Sequence, residues 1–332
     1  MGDRPRVVAM VTHAEAKRMP DWTIEPLSER WSAEAGQLVE RILREEFSYA
    51  ATLCADSDLS DMFGAYKQPG REAWVALAGG RVAGVITLKE TPSGALKMKR
   101  FYVDAAWRGR GVAQELLDAA HSWAEREGYQ QIVLTTTNLM ARARKFYRAH
   151  GYEEVGTTDV EPVVLHHYRR AISLRPLGTR LSPNRLPPAE DGEVAVIVER
   201  PRGYVEGWHF DRRAGELVLG EYYPVPVPVN YGLAPEWTNP ADEDALDVII
   251  MDDRRMRPGE ALVGRSVGVL WRPDGDHKLL VEPRGGALRP VVVDSDYRLR
   301  VSSWWDAEHQ PSGWDGLEGV PRLMAQCRRK GA

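Results

Sequence analysis

Cysteine is scarce: the 332 residues hold two, Cys54 and Cys327. Thiols so far apart in sequence suggest no disulfide framework, and the chain reads as a protein of a reducing, cytoplasmic compartment. Long apolar runs are missing too. None approaches the roughly 18–20 residues that span a bilayer. The short apolar stretch near the start, interrupted by His13, does not read as a signal peptide. Nor does one sign of charge dominate. With 44 Lys and Arg against 48 Asp and Glu, the net charge is −4, which gives no reason to expect nucleic acid or a membrane as partner. What is present is a soluble globular composition, 43% hydrophobic and 28% charged. The length suits two domains of about 100–200 residues each.

Ser173 to Gly192, "SLRPLGTRLSPNRLPPAEDG", holds four prolines and no hydrophobic period. It reads as a linker. The expected division is therefore a first domain over 20–172, a proline-rich linker over 173–192 and a second domain over 193–332. Before the linker, helix-period and strand-period segments alternate, which argues α/β. After it come short β-rich runs between Pro, Gly and Asp clusters, which argues a β-barrel or sandwich.

In the first half "DWTIEP" is a strand and "SAEAGQLVERILREEF" a helix with Ala35, Leu38, Val39, Ile42 and Leu43 on one stripe. "SDLSDMFGAY" is a shorter helix. "AWVALAGGRVAGVITLKE" is a hairpin turning at Gly79-Gly80. The strand "ALKMKRFYVD" runs into a helix whose Val112, Leu116, Leu117, Ala120 and Trp123 make the buried face. The strand "QQIVLTTT", the helix "NLMARARKFYRAHGYEEV" ending near Gly151, and the strand "VVLHHYRRAI" follow.

Between strand and helix stands "RGRGVA", Arg108 to Ala113. Its glycines let the backbone approach a bulky anion, and the next helix offers free N–H groups with partial positive charge. Such a turn suits a diphosphate, although glycine-rich turns also serve close packing. The spacing is neither a dinucleotide fingerprint nor a P-loop. The order "KRFYVD", "RGRGVA", "IVLTTT", "ARKFYRAHGY" resembles the GNAT superfamily of acetyl-CoA-dependent N-acetyltransferases, whose fold is a mixed, mostly antiparallel sheet flanked by helices. The signature Arg/Gln-x-x-Gly-x-Gly/Ala is met by Arg108, Gly111 and Ala113. The resemblance implies that Arg108, Gly109, Arg110, Gly111, Val112 and Ala113 hold the pyrophosphate. It implies that Phe101, Tyr102 and Val103 hold the pantetheine arm and polarise the thioester carbonyl. Asn138 matches a position that contacts the cofactor arm, and Tyr147 the acid that protonates the departing thiolate. Bottom-up, Tyr147 also fits a core tyrosine and Asn138 a helix cap. The acceptor is a small-molecule amine, and no general base is named: Lys99 stands where some relatives carry a glutamate. Asp56, Asp58 and Asp61 lie in the acceptor region and read as capping or surface residues.

The second half carries "ADEDALDV", with Asp242, Asp244 and Asp247 close together. Carboxylates so placed repel one another unless solvent or a cation separates them. Either a solvated acidic loop or a divalent metal site satisfies that, the latter in the manner of Mg²⁺ with carboxylates, waters and substrate phosphates. "VIVERPRG", "ELVLGEYY" and "LDVIIMDD" are strands and "PVPVPVNYG" a stiff loop. "SVGVLWRPDGDHKLLVEP" is a hairpin with Asp274 and Asp276 at its tip. Over 193 to about 285 these pieces resemble the family I inorganic pyrophosphatases, which fold as an OB-like five-stranded barrel. The resemblance implies Asp242, Asp247 and Asp276 as Mg²⁺ ligands, Asp274 and Glu199 as ligands of further ions, and Asp244 as the residue orienting the nucleophilic water. Tyr231 and Lys278 fall on phosphate-side positions.

The departures are specific. Gly207 and His209 stand where the family has Lys and Glu, Glu221 where it has Arg, and Val227 where it has Tyr. A site that must grasp a tetra-anion has lost charge-assisted bonds worth roughly 1.5–3 kcal/mol each. The expectation is an N-acetyltransferase fused to a pyrophosphatase-like domain that binds metal with weak or no hydrolysis. The alternatives are a bifunctional enzyme that also hydrolyses pyrophosphate, and a barrel that binds a phosphorylated metabolite and regulates the transferase.

Overall fold

The computed structural model describes residues 21–47, 58–172, 174–305 and 309–329. Met1–Pro20, Cys54 and Asp56 lie outside the described residues. Among the described residues, no helix is long and apolar enough to cross a membrane.

The first half is a seven-stranded sheet of β1 (Trp22–Pro26), β2 (Arg71–Ala78), β3 (Arg81–Glu90), β4 (Leu96–Val103), β5 (Gln131–Thr137), β6 (Glu153–Val160) and β7 (Val163–Ala171), in the order β1-β2-β3-β4-β5-β7-β6. All pairings are antiparallel except β4–β5. Successive strand residues face opposite sides, so each strand feeds two cores. On β2, Ala73 and Val75 face α1 (Glu29–Glu46) and α2 (Met62–Tyr66), with Leu38, Val39 and Ile42 of α1 opposite. Trp74 and Ala76 face the other side, against Val112, Leu116, Leu117 and Ala120 of α3 (Val112–Arg126). Ala124 completes the buried stripe of α3, whereas Trp123 is only half-buried, its ring stacked on Tyr129. A last helix, α4 (Ala141–Ala149), joins β5 to β6. The strand β6 escapes the sequence pattern because all eight of its residues are exposed, leaving no alternation to read.

The second half closes a five-stranded barrel from β9 (Glu193–Arg200), β12 (Asn230–Thr238), β13 (Ala245–Ile250), β14 (Ala261–Trp271) and β15 (Lys278–Pro283). The order β13-β15-β14-β9-β12 is sealed by β12–β13. Closure removes the exposed edges that an open sheet would leave. Val194, Val196, Val198, Leu246, Val248, Leu279 and Val281 fill one core. A side sheet of β8 (Arg180–Leu181), β10 (Glu206–Asp211) and β11 (Glu216–Tyr222) packs Trp208, Leu217 and Leu219 against Ile197 and Leu233. The proline-rich segment thus contributes a short strand, β8, that pairs with β11. Asn230 to Gly232, expected as loop, already belong to β12. Two short strands, β16 (Gly313–Asp315) and β17 (Arg328–Arg329), and two helices, α5 (Ser295–Ser302) and α6 (Val320–Met324), complete the chain.

The halves meet through polar contacts. Glu90, at the end of β3, receives Arg202, the Tyr129 hydroxyl at 2.9 Å and Arg289 at 3.5 Å. Arg255 lies 3.5 Å from the Tyr129 ring centroid and donates to the carbonyls of Glu127, Gly94 and Gly128. The backbones of Gly94 and Gly203 touch so closely that a Cβ on Gly94 would stand 2.5 Å from the Gly203 Cα. Both have positive φ, which glycine alone adopts freely.

Candidate functional site

The cleft of the first half begins as a fault in β4. Its register to β3 slips between Val85 and Thr87, so that Arg100 and Phe101 oppose the single residue Ile86. Arg100 takes up the extra length at φ 49°. A bulge of this kind bends the strand. Accordingly β4 pairs with β5 only at Leu96 and Lys97, and the two strands splay beyond. Two adjoining cavities of about 480 and 380 Å³ open in the splay, both lined by Phe101, Val103, Arg108, Arg142 and Ala143. Tyr102, Glu46 and Met140 border the first; Gly109, Ala113 and Tyr147 border the second.

The turn arrives at α3 through Gly109 at φ 74° and Gly111 at φ 102°. Gly111 is the N-terminal cap and offers no side chain to the helix, so the first amides of α3, from Val112 onward, lack a side-chain partner. Arg108 is anchored. Its Nε donates to the Val103 carbonyl at 2.8 Å, and its terminal nitrogens donate to both Glu46 oxygens at 2.8 and 2.7 Å. Arg110 lies over the Trp107 ring, 5.0 Å from its centroid, and lines neither cavity. Tyr147 sits at the inner end among the rings of Phe101, Phe146, Tyr152 and Tyr168. Burial, with a smaller push from Tyr102, raises its hydroxyl well above the usual tyrosine range. It is therefore held as a neutral O–H at physiological pH.

Asn138 is placed differently from expectation. Its Oδ1 accepts from the Val164 amide at 3.2 Å, it lines neither cavity, and α4 is capped at Met140 instead. Asp61 is a cap, accepting from the Gly64 amide at 2.9 Å. Asp58 is paired with Arg100 at 2.6 Å and accepts from the Tyr66 hydroxyl at 2.6 Å. Arg142 and Glu46 were missed by sequence reasoning. For Arg142 the available signal was its place five residues before Tyr147, in the first turn of the same helix.

In the second half the candidate carboxylates are taken up by the protein's own cations. Lys278, 1% exposed, bonds Asp247 and also Asp276, the latter at 2.5 Å. Arg272 reaches Asp274 at 2.5 Å and Asp276 at 3.2 Å. Asp242 and Asp244 spend an oxygen each on loop amides, of Asp244 and Ala245, and Arg212 stands 3.8 Å from Asp244. Glu199 is buried under β10, where it accepts from the Phe210 amide at 2.8 Å and pairs with Arg200 at 3.5 Å. Burial pushes its carboxyl up to about 7, Arg200 opposing and Asp247 adding to the rise. Among the described residues no group of three His, Cys, Asp or Glu side chains is assembled to hold a metal ion. The expected Mg²⁺ ligands Asp242, Asp247, Asp274, Asp276 and Glu199 therefore do not fit a divalent ion as arranged. Lys278 bridges Asp247 and Asp276, and Arg272 bridges Asp274 and Asp276. Tyr231 is buried beside Lys278, 5.7 Å from its ring centroid to the ammonium. A side chain at Gly207 would require Glu221 to move, since a Cβ there would meet its Cγ at 2.6 Å.

Residues 36–152 match the acetyltransferase (GNAT) family model, and residues 196–285 match the inorganic pyrophosphatase model. The chain carries a GNAT domain followed by a pyrophosphatase domain. The GNAT domain is 32% identical over 130 residues to N-acetyltransferase family 8 member 2 of Rattus norvegicus, covering 38% of this chain and 53% of the relative. It is 34% identical over 113 residues to the N-acetylaspartate synthetase of Xenopus tropicalis, covering 33% of this chain and 40% of the relative. The chain spans about half the length, or less, of these curated relatives. A GNAT-family acetyltransferase structure from Staphylococcus aureus Mu50 aligns over 46% of this chain and 99% of its own, at 20% identity and a TM-score of 0.40.

Proposed function

We propose that the chain is an acetyl-CoA-dependent N-acetyltransferase acting on the amine of a small molecule. The observation that carries this reading is the splayed cleft, which runs from an uncapped, glycine-turned helix start to a buried, protonated Tyr147. The turn Arg108 to Ala113 would take the diphosphate on its backbone amides. The edge of β4 at Phe101 to Val103, freed from β5, would align the thioester and polarise its carbonyl. Attack by the neutral amine forms the new C–N bond and breaks C–S, and the proton that the nitrogen sheds passes to water, from which the tyrosine is afterwards recharged. The Tyr147 O–H then supplies the proton the departing thiolate needs. Asn138 acts indirectly in this reading, by fixing the end of β5 against β7. Aspartate heads the acceptor panel, because one relative is named an N-acetylaspartate synthetase.

The pyrophosphatase domain is proposed to hydrolyse pyrophosphate weakly or not at all. Gly207 and Glu221 remove cations, and Lys278 and Arg272 neutralise the carboxylates that a metal would need. Asp244, Tyr231 and Lys278 then have no turnover to support. The cytoplasmic setting and the boundaries 20–172, 173–192 and 193–332 belong to the same proposal. The test is thiol release from acetyl-CoA with a panel of amines, using the full chain and Tyr147→Phe. The expected result is a rate lowered roughly 10²-fold or more with acetyl-CoA affinity nearly unchanged. A wild-type rate in the variant would make Tyr147 a core residue and remove the acid role. In parallel, pyrophosphate with Mg²⁺ should give no more than weak phosphate release, and brisk release would restore the bifunctional alternative.

A further inference from the structure

Two arginines line the cleft of the GNAT domain, and only one has its charge available. Arg108, the arginine of the motif, is matched by a two-pronged Glu46 contact and by the Val103 carbonyl. Arg110 is turned out onto Trp107. Arg142 borders both cavities and is exposed. Among the described residues it has no carboxylate within ion-pairing distance and no aromatic ring beneath it. It stands in the first turn of α4, a helix without a side-chain cap and without an acidic residue in that turn. The positive end of α4 therefore adds to its field. Tyr147 lies five residues on, roughly 7.5 Å further along the helix axis at 1.5 Å per residue. Arg142 thus marks the outer end of the cleft and Tyr147 its inner end.

We propose that Arg142 is the side-chain cation that binds a phosphate group of acetyl-CoA, while Arg108 serves to pin the turn to α1. The inference rests on the acetyltransferase reading above. A guanidinium free of partners can meet a phosphate with two parallel N–H bonds, which is the strongest geometry the side chain offers. Arg108 would first have to surrender Glu46 to do the same. Acetyl-CoA carries two such groups, the diphosphate and the ribose 3′-phosphate, and both present the same chemistry to Arg142.

The experiment is calorimetric titration of the full chain with acetyl-CoA and with acetyl-dephospho-CoA, for the wild type, Arg142→Ala, Arg142→Lys and Arg108→Ala. Arg142→Ala is expected to weaken acetyl-CoA roughly 10- to 100-fold at unchanged melting temperature. Arg142→Lys should keep part of the affinity, and the salt dependence of binding should flatten in the alanine variant. A loss confined to acetyl-CoA assigns the 3′-phosphate; an equal loss for both ligands assigns the diphosphate. Arg108→Ala is expected to lower the melting temperature. Wild-type affinity in Arg142→Ala overturns the proposal, as does a loss of binding in Arg108→Ala at unchanged stability. A wild-type chain that binds no acetyl-CoA refutes the acetyltransferase reading itself, which is a different result from either.

Discussion

Lys278→Met tests whether the barrel supplies its own counter-ions. The ammonium is 1% exposed and contacts Asp247 and Asp276, whose side chains are 21% and 25% exposed. Removing one partner of a buried pair costs about 3–5 kcal/mol, because the other charge is left without compensation. Here solvent reaches both carboxylates, which argues for the lower end, about 3 kcal/mol. Arg272 remains 3.2 Å from Asp276 and softens the loss further. At roughly 2–4 °C per kcal/mol for a domain of this size, the melting temperature should fall about 6–12 °C. The assay is thermal unfolding of the full chain followed by circular dichroism, with and without millimolar Mg²⁺. Burial already pushes the Asp276 carboxyl up while Lys278 holds it down. The carboxyl is already held above its ordinary range with the lysine in place and should rise further without it, so the variant should regain stability as pH is lowered. Mg²⁺ should stabilise the variant, whose two carboxylates then face each other, and leave the wild type unmoved. An unshifted variant, or a wild type that Mg²⁺ stabilises, would refute the account of self-neutralised carboxylates.

His121 gives a pH prediction. Burial, aided by Arg170, holds its imidazole down to about 4 from 6.5, so the folded chain binds fewer protons than the unfolded chain between those values. Its contribution to stability is full above about pH 6.5 and is lost as pH falls toward 4; in urea titrations His121→Gln should flatten that slope, and an unchanged slope excludes His121 as its source. Glu90→Gln should leave the buried Arg202 with only the longer contact to Asp253, at 3.7 Å, destabilising by about 3 kcal/mol or somewhat less. Calorimetry should then show the two halves unfolding in separated transitions, and a single unaltered transition would mean that the polar contact does not couple them.

Much of the first half was legible because its elements are amphipathic. The helix over Glu29–Glu46 and the hairpin at Gly79-Gly80 follow from apolar spacing alone. The turn at Arg108 to Ala113 follows from glycine placement, and both of its glycines have the positive φ that such a turn needs. What resisted reading depends on pairing between distant segments. Nothing near Arg108 announces that Glu46 will occupy it, and nothing in "RPDGDHK" tells that Arg272 and Lys278 fold back on the aspartates around them. The bulge at Arg100 is equally silent, since the strand pattern continues through it unbroken. Carboxylates can be counted from sequence, but whether they await a cation or already hold one depends on which basic side chain the fold delivers.

The seam at Gly94 and Gly203 bears on how such a chain can be inherited. Two backbones in contact at positive φ leave no slack for substitution on either side, and both arginines that donate to Glu90 are encoded more than a hundred positions later. A recombination event that traded the barrel for another module would strand Glu90 and Tyr129 without the arginines that receive them. Neither half is a free cassette. A barrel that did no chemistry at all would still have this surface to supply to its partner.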